Sequence, residues 1–219
     1  MSTPWAFGWT QLFTIIGFVI TLGIAMGGFR TFDRWKREKL EERKIEIAFH
    51  TLALAYESKF VFDGIRSPTS FDYEYKDMKK KDGESDAEWN RRGPYYAILK
   101  RIDFNKEFFE RAWKMQPRCT AMFGAQAEEM FLLMHRARRE IEVSAQMLLW
   151  QELGRDTVVE FQRDIWERGE FEKDKDKVGK KLIEFRERVE KLCRPVIDRQ
   201  YGKAPRKGLV GRALDWMGI

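Results

Sequence analysis

The longest apolar stretch of the sequence, residues 5–29, constrains the fold more than any other feature. It contains no Asp, Glu, Lys or Arg. A helix of about 20 mostly apolar residues is long enough to cross a hydrocarbon core of ~30 Å. A buried helix of a soluble domain is usually shorter than this stretch. Residues 1–30 are therefore predicted to form a single transmembrane anchor.

The two flanks of this stretch differ in charge. Residues 1–4 contain no basic side chain, whereas five basic residues follow within ten positions: Arg30, Arg34, Lys36, Arg37 and Lys39. Because Lys and Arg near a spanning helix stay on the cytoplasmic side, we expect the N-terminus outside and the remaining chain in the cytoplasm, at the inner (plasma) membrane. A cleaved signal peptide needs a basic n-region and a small-residue cleavage site, and residues 1–32 contain neither.

The composition limits the choice of partners. The chain has 41 basic and 35 acidic residues and a net charge of +6. The two signs are mixed along the sequence, which argues against nucleic acid and favours the anionic lipid bilayer as one partner. An unidentified protein is the second expected partner. Gly23 and Gly27 form a G-x-x-x-G pair that lets spanning helices approach closely, so a homo-oligomer remains an open alternative.

After the anchor, no segment alternates apolar and polar residues over strand length, and apolar residues recur at helical spacing. Residues 31–65 are predicted to form a charged stalk and the first bundle helix. The remaining bundle helices are expected within residues 95–200. They are predicted at 95–115, ended by Gln116 and Pro117; at 119–152, with an interruption at Gly124 left open; at 157–168, capped by Asp156; and at 177–199.

The last of these helices has the clearest pattern. Its apolar residues step by four and three in alternation, which is a heptad seam: Val178, Leu182, Phe185, Val189, Leu192 and Val196. We expect this seam to pack inside its own bundle and not in an intermolecular coiled coil. The fold class is then all-α, with a single N-terminal transmembrane helix followed by a cytoplasmic antiparallel bundle of about four helices.

Two further segments have no clear helical pattern. Residues 66–94 are predicted to be an irregular loop with more aromatic residues than a plain linker needs: Phe71, Tyr73, Tyr75 and Trp89. These rings either bind a partner or fold back on the bundle, and we favour the second interpretation. Residues 201–219 form a basic amphipathic tail. Its Lys, Arg and Trp216 suit a membrane interface, with a terminus docked on the bundle as the alternative.

The candidate metal ligands are few. His50 shares a helical face with Glu46 and Glu57, and the second histidine, His135, lies seven residues from both Glu128 and Glu142. A carboxylate-bridged bundle site would show Glu-x-x-His on two helices, but Ile47 and Leu132 occupy the required positions. Cys119 and Cys193 are expected to be free thiols, because the domain is predicted to be cytoplasmic.

No motif for catalysis or phosphate binding is present. We therefore assign no catalytic, cofactor-binding or metal-binding residue and expect no cofactor. Charged residues within the apolar stretches predict interhelical ion pairs, some of them buried: Glu57, Asp63, Arg136, Arg138, Arg139, Glu140 and Glu142. The favoured function is a non-enzymatic, membrane-tethered scaffold or adaptor. A membrane-anchored sensor is the alternative, and a metal-binding or enzymatic bundle is the least favoured.

Overall fold

The computed structural model describes residues 8–151, 153–166 and 176–201. Seven helices occupy these ranges: α1 Trp9–Ile65, α2 Asp72–Tyr75, α3 Asp86–Phe104, α4 Lys106–Phe123, α5 Ala125–Trp150, α6 Arg155–Ile165 and α7 Lys177–Tyr201. All regular structure in the described ranges is helical, which confirms the all-α prediction. The first residues of the anchor and the tail from 202 onward lie outside the described residues, so the predictions on them stay predictions.

The chain divides into two compact units at Lys44 and Ile45. In the first unit, one part of α1 is long and apolar enough to span a membrane. We call residues 9–29 the anchor segment. Its large apolar side chains are between 45% and 77% exposed, from Leu12 to Trp9.

The second unit, from Ile45 to the end of α7, is called the helical domain here. Helix α5 is central, because α3, α4, α6 and α7 all pack against it. Its buried residues recur at three- and four-residue spacing and form the middle of the core: Met130, Phe131, Met134, Ala137, Ile141, Ala145 and Leu148. From Ile45 onward, α1 adds one buried face to this core, which includes Ala48, Ala55 and Phe62.

The heptad seam of α7 packs inside the chain, as predicted. Val178, Phe185 and Val189 are fully buried, and the ring of Phe185 lies 5.9 Å from that of Phe131 on α5. The seam therefore contributes to the core of its own domain.

The predicted helix 95–115 is wrong at both ends, and it is interrupted at Asn105, between α3 and α4. Helix α3 begins at Asp86, and α4 continues through Pro117 to Phe123. Pro117 cannot donate to the carbonyl of Trp113, four residues earlier. Trp113 lies on the exposed side of α4, where water can bind that carbonyl. The helix ends instead at Gly124, whose φ of 78° favours glycine.

The predicted loop 66–94 is also too long. Its last part is helical because Ser85 starts α3 with a capping box, in which the Ser85 hydroxyl accepts from the Glu88 backbone and Glu88 accepts from the Ser85 N–H. The fourth predicted helix, 157–168, lies instead at Arg155–Ile165 and follows Gly154 without a side-chain cap. Asp156 is thus inside the first turn, where a negative charge suits the helix dipole.

Candidate partner-binding surface

Three arginines fix the segment between α1 and α3 and the end of α1. The first, Arg66, follows α1 directly and is almost completely buried. Its Nη1 and Nη2 donate to the two carboxylate oxygens of Asp176 at 2.9 and 2.8 Å, and Nη2 also donates to the carbonyl of Trp166 at 2.9 Å. Asp176 accepts from the Gly179 N–H in the first turn of α7. This ion pair therefore ties α1 to the end of α6 and the start of α7.

The second arginine, Arg101 on α3, holds the chain that leaves α1. Its Nε and Nη2 donate to the carboxylate of Glu74 at 2.7 and 2.8 Å. Its remaining N–H groups donate to the carbonyls of Ser67 at 2.9 Å and Thr69 at 2.6 Å. A bidentate Arg–carboxylate pair fixes orientation as well as distance, so residues 67–74 have a defined path along α3. The same pairing lowers the pKa of Glu74.

The third arginine, Arg92, holds the part of the segment that precedes α3. Its Nη2 donates to Glu84 at 2.6 Å, and both side chains are less than 10% exposed. The guanidinium also lies 6.0 Å from the centre of the Trp150 ring. Hydrogen bonding to Arg92 lowers the pKa of Glu84 to about 2, so this carboxylate is charged throughout the neutral range.

The four aromatic residues of the segment divide into two pairs. Tyr75 and Trp89 fold back, with ring centres 5.4 Å apart, and the Trp89 indole N–H donates to the Met78 carbonyl at 2.9 Å. Phe71 and Tyr73 stack on each other at 5.6 Å and point outward, 55% and 67% exposed. The favoured prediction that the rings fold back is therefore correct for the first pair and wrong for the second.

A third exposed ring lies beside this outward pair. Phe104, the last residue of α3, is 88% exposed, the largest value among the large apolar side chains of the described ranges. Tyr73 and Phe104 line the same open concavity of about 560 Å³. We call Phe71, Tyr73 and Phe104 the aromatic surface.

The charges around the aromatic surface cancel. Its concavity is bordered by three cationic and three anionic side chains: Lys76, Lys100, Arg101, Glu74, Asp77 and Asp103. Several are paired with each other, as Lys100 is with Asp77 and Arg101 with Glu74. Because these pairs satisfy one another, the surface offers apolar area without a net charge. Such a site suits an apolar partner better than an ion.

The candidate metal ligands do not assemble. Among the described residues, no group of three His, Cys, Asp or Glu side chains could hold a metal ion. Glu57, expected beside His50, pairs with Arg111 instead. His135 Nε2 lies 3.0 Å from Gln116 Oε1, and its ring packs against Trp113. Nε2 is the donor of this hydrogen bond, because an amide oxygen can only accept. Burial and the nearby Arg138 lower the pKa of His135.

The structure also shows where the two cysteines and the predicted ion pairs lie. Cys119 and Cys193 are buried and free, and burial raises the pKa of Cys193 to about 12. The predicted ion pairs of Glu57, Arg138 and Glu140 are partly exposed. The deeply buried pairs are Arg66–Asp176 and Arg92–Glu84, which sequence reasoning missed.

Phe104 and the three arginines had only weak sequence signals. Phe104 precedes Asn105, a residue that commonly ends helices, so a protruding position at a helix end could have been inferred.

Comparison of the chain with protein-family models, curated proteins and solved structures finds no match in any of the three.

Proposed function

We propose that this protein is a membrane-tethered helical adaptor. In this proposal the helical domain is an antiparallel bundle in the cytoplasm that presents the aromatic surface to a protein with an apolar pocket. The exposure of Phe104, beside the stacked Phe71 and Tyr73, carries the proposal. Exposed aromatic side chains that enter a partner's pocket are the residue type that dominates many protein interfaces.

Two observations support the tether. The anchor segment has exposed apolar side chains on every side of the helix, which a water-soluble helix with one buried face does not show. The first charged residues that follow it are mainly basic, which favours a cytoplasmic location for the domain.

The contacts of Arg101 support a binding role for the aromatic surface. Ordering flexible side chains and loops on binding costs free energy. Arg101 already holds residues 67–74 through Glu74 and two backbone carbonyls. The segment that carries Phe71 and Tyr73 is thus arranged before a partner arrives, which lowers this cost.

The test compares two variants of the full chain in gently solubilised membranes after crosslinking. One variant carries Phe71→Ser, Tyr73→Ser and Phe104→Ser together. The control carries Phe60→Ser, because Phe60 is 74% exposed on α1 and outside the aromatic surface. We expect a crosslinked partner that is present with the wild type and the control and is lost with the triple variant.

Equal recovery of all crosslinked proteins with the triple variant would refute the binding role. Protease digestion of sealed, oriented vesicles tests the tether separately. We expect the helical domain to be cleaved only when the cytoplasmic face is accessible. Cleavage from the opposite face would overturn the proposed orientation.

A further inference from the structure

Helices α4 and α5 form a second concave surface, an open groove of about 550 Å³. Its apolar part consists of Phe109, Trp113 and His135. Phe109 is buried, whereas Trp113 is 66% exposed. The rings of Trp113 and His135 contact edge to face, with centres 4.9 Å apart. A large exposed indole that packs on a neighbouring ring is a preformed contact for an apolar side chain.

The ring of His135 adds no charge to this floor at neutral pH. Burial is the main reason that its pKa is lowered, and the positive charge of Arg138 acts in the same direction. The ring is held by Gln116, whose Oε1 accepts from Nε2 at 3.0 Å. The floor of the groove is therefore aromatic and neutral.

The walls of the groove carry a surplus of positive charge. Four cations and two anions line it: Lys106, Lys114, Arg138, Arg139, Glu110 and Glu142. The two anions approach Lys106 and Arg138 only at 3.9 and 3.8 Å, which is longer than a hydrogen bond. Within the described ranges, Lys114 and Arg139 have no carboxylate in ion-pair range. One of these cations is on α4 and the other on α5.

The guanidinium of Arg138 is not fully hydrogen-bonded within the helical domain. Its guanidinium lies 4.4 Å from the centre of the Phe109 ring. Its buried Nε has no hydrogen-bond partner among the described residues. The side chain is thus positioned by stacking on the aromatic floor, and its carboxylate neighbour Glu142 lies beyond hydrogen-bond distance.

We propose that the α4–α5 groove binds an acidic protein segment that also carries an aromatic or aliphatic side chain. The apolar side chain packs on the exposed ring of Trp113, and the acidic residues pair with Lys114 and Arg139 on the two walls. Charge complementarity selects the occupant, because the groove has a net positive charge and the aromatic surface has none. The site is separate from the aromatic surface and does not rest on the proposed adaptor function.

The test uses a displayed library of random 12-residue peptides, selected on the full chain in nanodiscs of zwitterionic lipid. We expect the selected peptides to be rich in Asp and Glu and to contain an aromatic or large aliphatic residue. The affinity of one such peptide should fall by about tenfold or more with Arg139→Glu, because like charges then face each other. Trp113→Ala should also weaken binding, and added salt should weaken it further.

The control variant is Lys59→Glu, which reverses one exposed charge on α1 outside the groove. It should change peptide affinity by less than about twofold, as distant exposed charges are screened. Equal loss of affinity in Lys59→Glu and Arg139→Glu would overturn the proposal, since binding would then follow net charge alone. Selection without acidic enrichment would also overturn it.

A final experiment tests whether the α4–α5 groove binds a lipid surface instead of a protein segment. Vesicles that contain an anionic phospholipid are added as a competitor of the selected peptide. No competition beyond that of zwitterionic vesicles is the expected result. If anionic vesicles bind the wild type, lose binding with Arg139→Glu and displace the peptide completely, the groove binds the membrane surface and the proposal is wrong.

Discussion

Helix α1 contains two apolar stretches, residues 9–29 and 45–65, that are buried to very different extents. In the first, even the least exposed large side chains, such as Leu12, are 45% exposed. In the second, Ala48, Phe62 and Ile65 are at most 1% exposed. The first stretch is apolar around the whole helix, whereas the second alternates an apolar face with charged residues. The distribution of apolar residues around a helix therefore indicates whether protein or lipid is expected to cover it.

The sharpest contrast within the second stretch is between Phe60 and Phe62. Phe62 is buried, with its ring 5.8 Å from that of Phe109 on α4, and Phe60 is 74% exposed. Phe62→Ala should lower the free energy of unfolding of the helical domain by about 3–5 kcal/mol. Phe60→Ala should change it by less than about 0.5 kcal/mol. Chemical denaturation in detergent measures both, and equal effects would contradict the assigned burial.

The matching change in the anchor segment is Val19→Arg. An arginine near the centre of a spanning helix costs about 2.5–3.5 kcal/mol on insertion scales. We expect a large part of the protein to move from the membrane fraction to the soluble or aggregated fraction, with the melting of the helical domain unchanged. Leu40→Arg is the control, because Leu40 is exposed among charged residues. Unchanged membrane recovery of Val19→Arg would contradict a membrane-spanning role for residues 9–29.

Glycines of the anchor segment and of the helical domain also differ in the space around them. A Cβ at Gly93 in α3 would lie 2.7 Å from the Tyr75 ring, whereas a Cβ at Gly27 in α1 would have no atom within 4 Å. Gly93→Ala should therefore destabilise the domain by about 1–3 kcal/mol through overpacking. Gly27→Ala should leave the melting temperature of the domain unchanged. If Gly93→Ala proves neutral, the Tyr75 ring must have room to shift.

The smallest effect concerns pH, to which the anchor segment and the helical domain should respond differently. Residues 9–29 contain no acidic or basic side chain, so membrane recovery should not change between pH 5 and 3. Glu84 has a folded-state pKa of about 2 against an ordinary value of 4.5. Its contribution to stability is complete above pH 4.5 and is lost as the pH falls toward 2, because the unfolded chain binds the proton first.

Thermal melts at several pH values measure this effect. The wild type should lose stability on acidification below pH 4.5, and the lowered pKa values of Glu74 and Asp77 add to the loss in the same direction. Glu84→Gln should start from a lower melting temperature at pH 7 and lose less on acidification. An identical pH dependence in both proteins would show that the Arg92–Glu84 pair does not act in this way.

Local signals in the sequence predicted part of this structure well. The heptad of α7 identified a helix and its buried side, because the spacing of four and three residues is a property of the helix itself. The capping box of Ser85 and Glu88 was also readable, and it would have placed the start of α3 correctly. Two prolines led to wrong helix boundaries, because Pro94 and Pro117 both lie inside helices.

The candidate surfaces depend on contacts between distant parts of the chain, which local patterns do not encode. Arg66 and Asp176 are 110 residues apart, and nothing near either residue predicts that they pair. Of four aromatic residues with similar surroundings in the sequence, Tyr75 and Trp89 are internal and Phe71 and Tyr73 are external. Arg101 fixes the chain before Tyr75 by holding Glu74 and the preceding carbonyls, and the Met78 carbonyl holds the Trp89 indole.

Period and composition are local properties, so the amino-acid sequence alone was enough to predict that the chain is helical and that residues 9–29 have an uncharged, apolar surface. Which side chains remain exposed depends on the tertiary structure. It placed Phe104 beside Tyr73, and it brought Lys114 and Arg139 to opposite walls of one groove. The first surface arises where residues 73–77 pack against α3, and the second where α4 packs against α5. Such packing depends on the shapes of all the contacting segments at once.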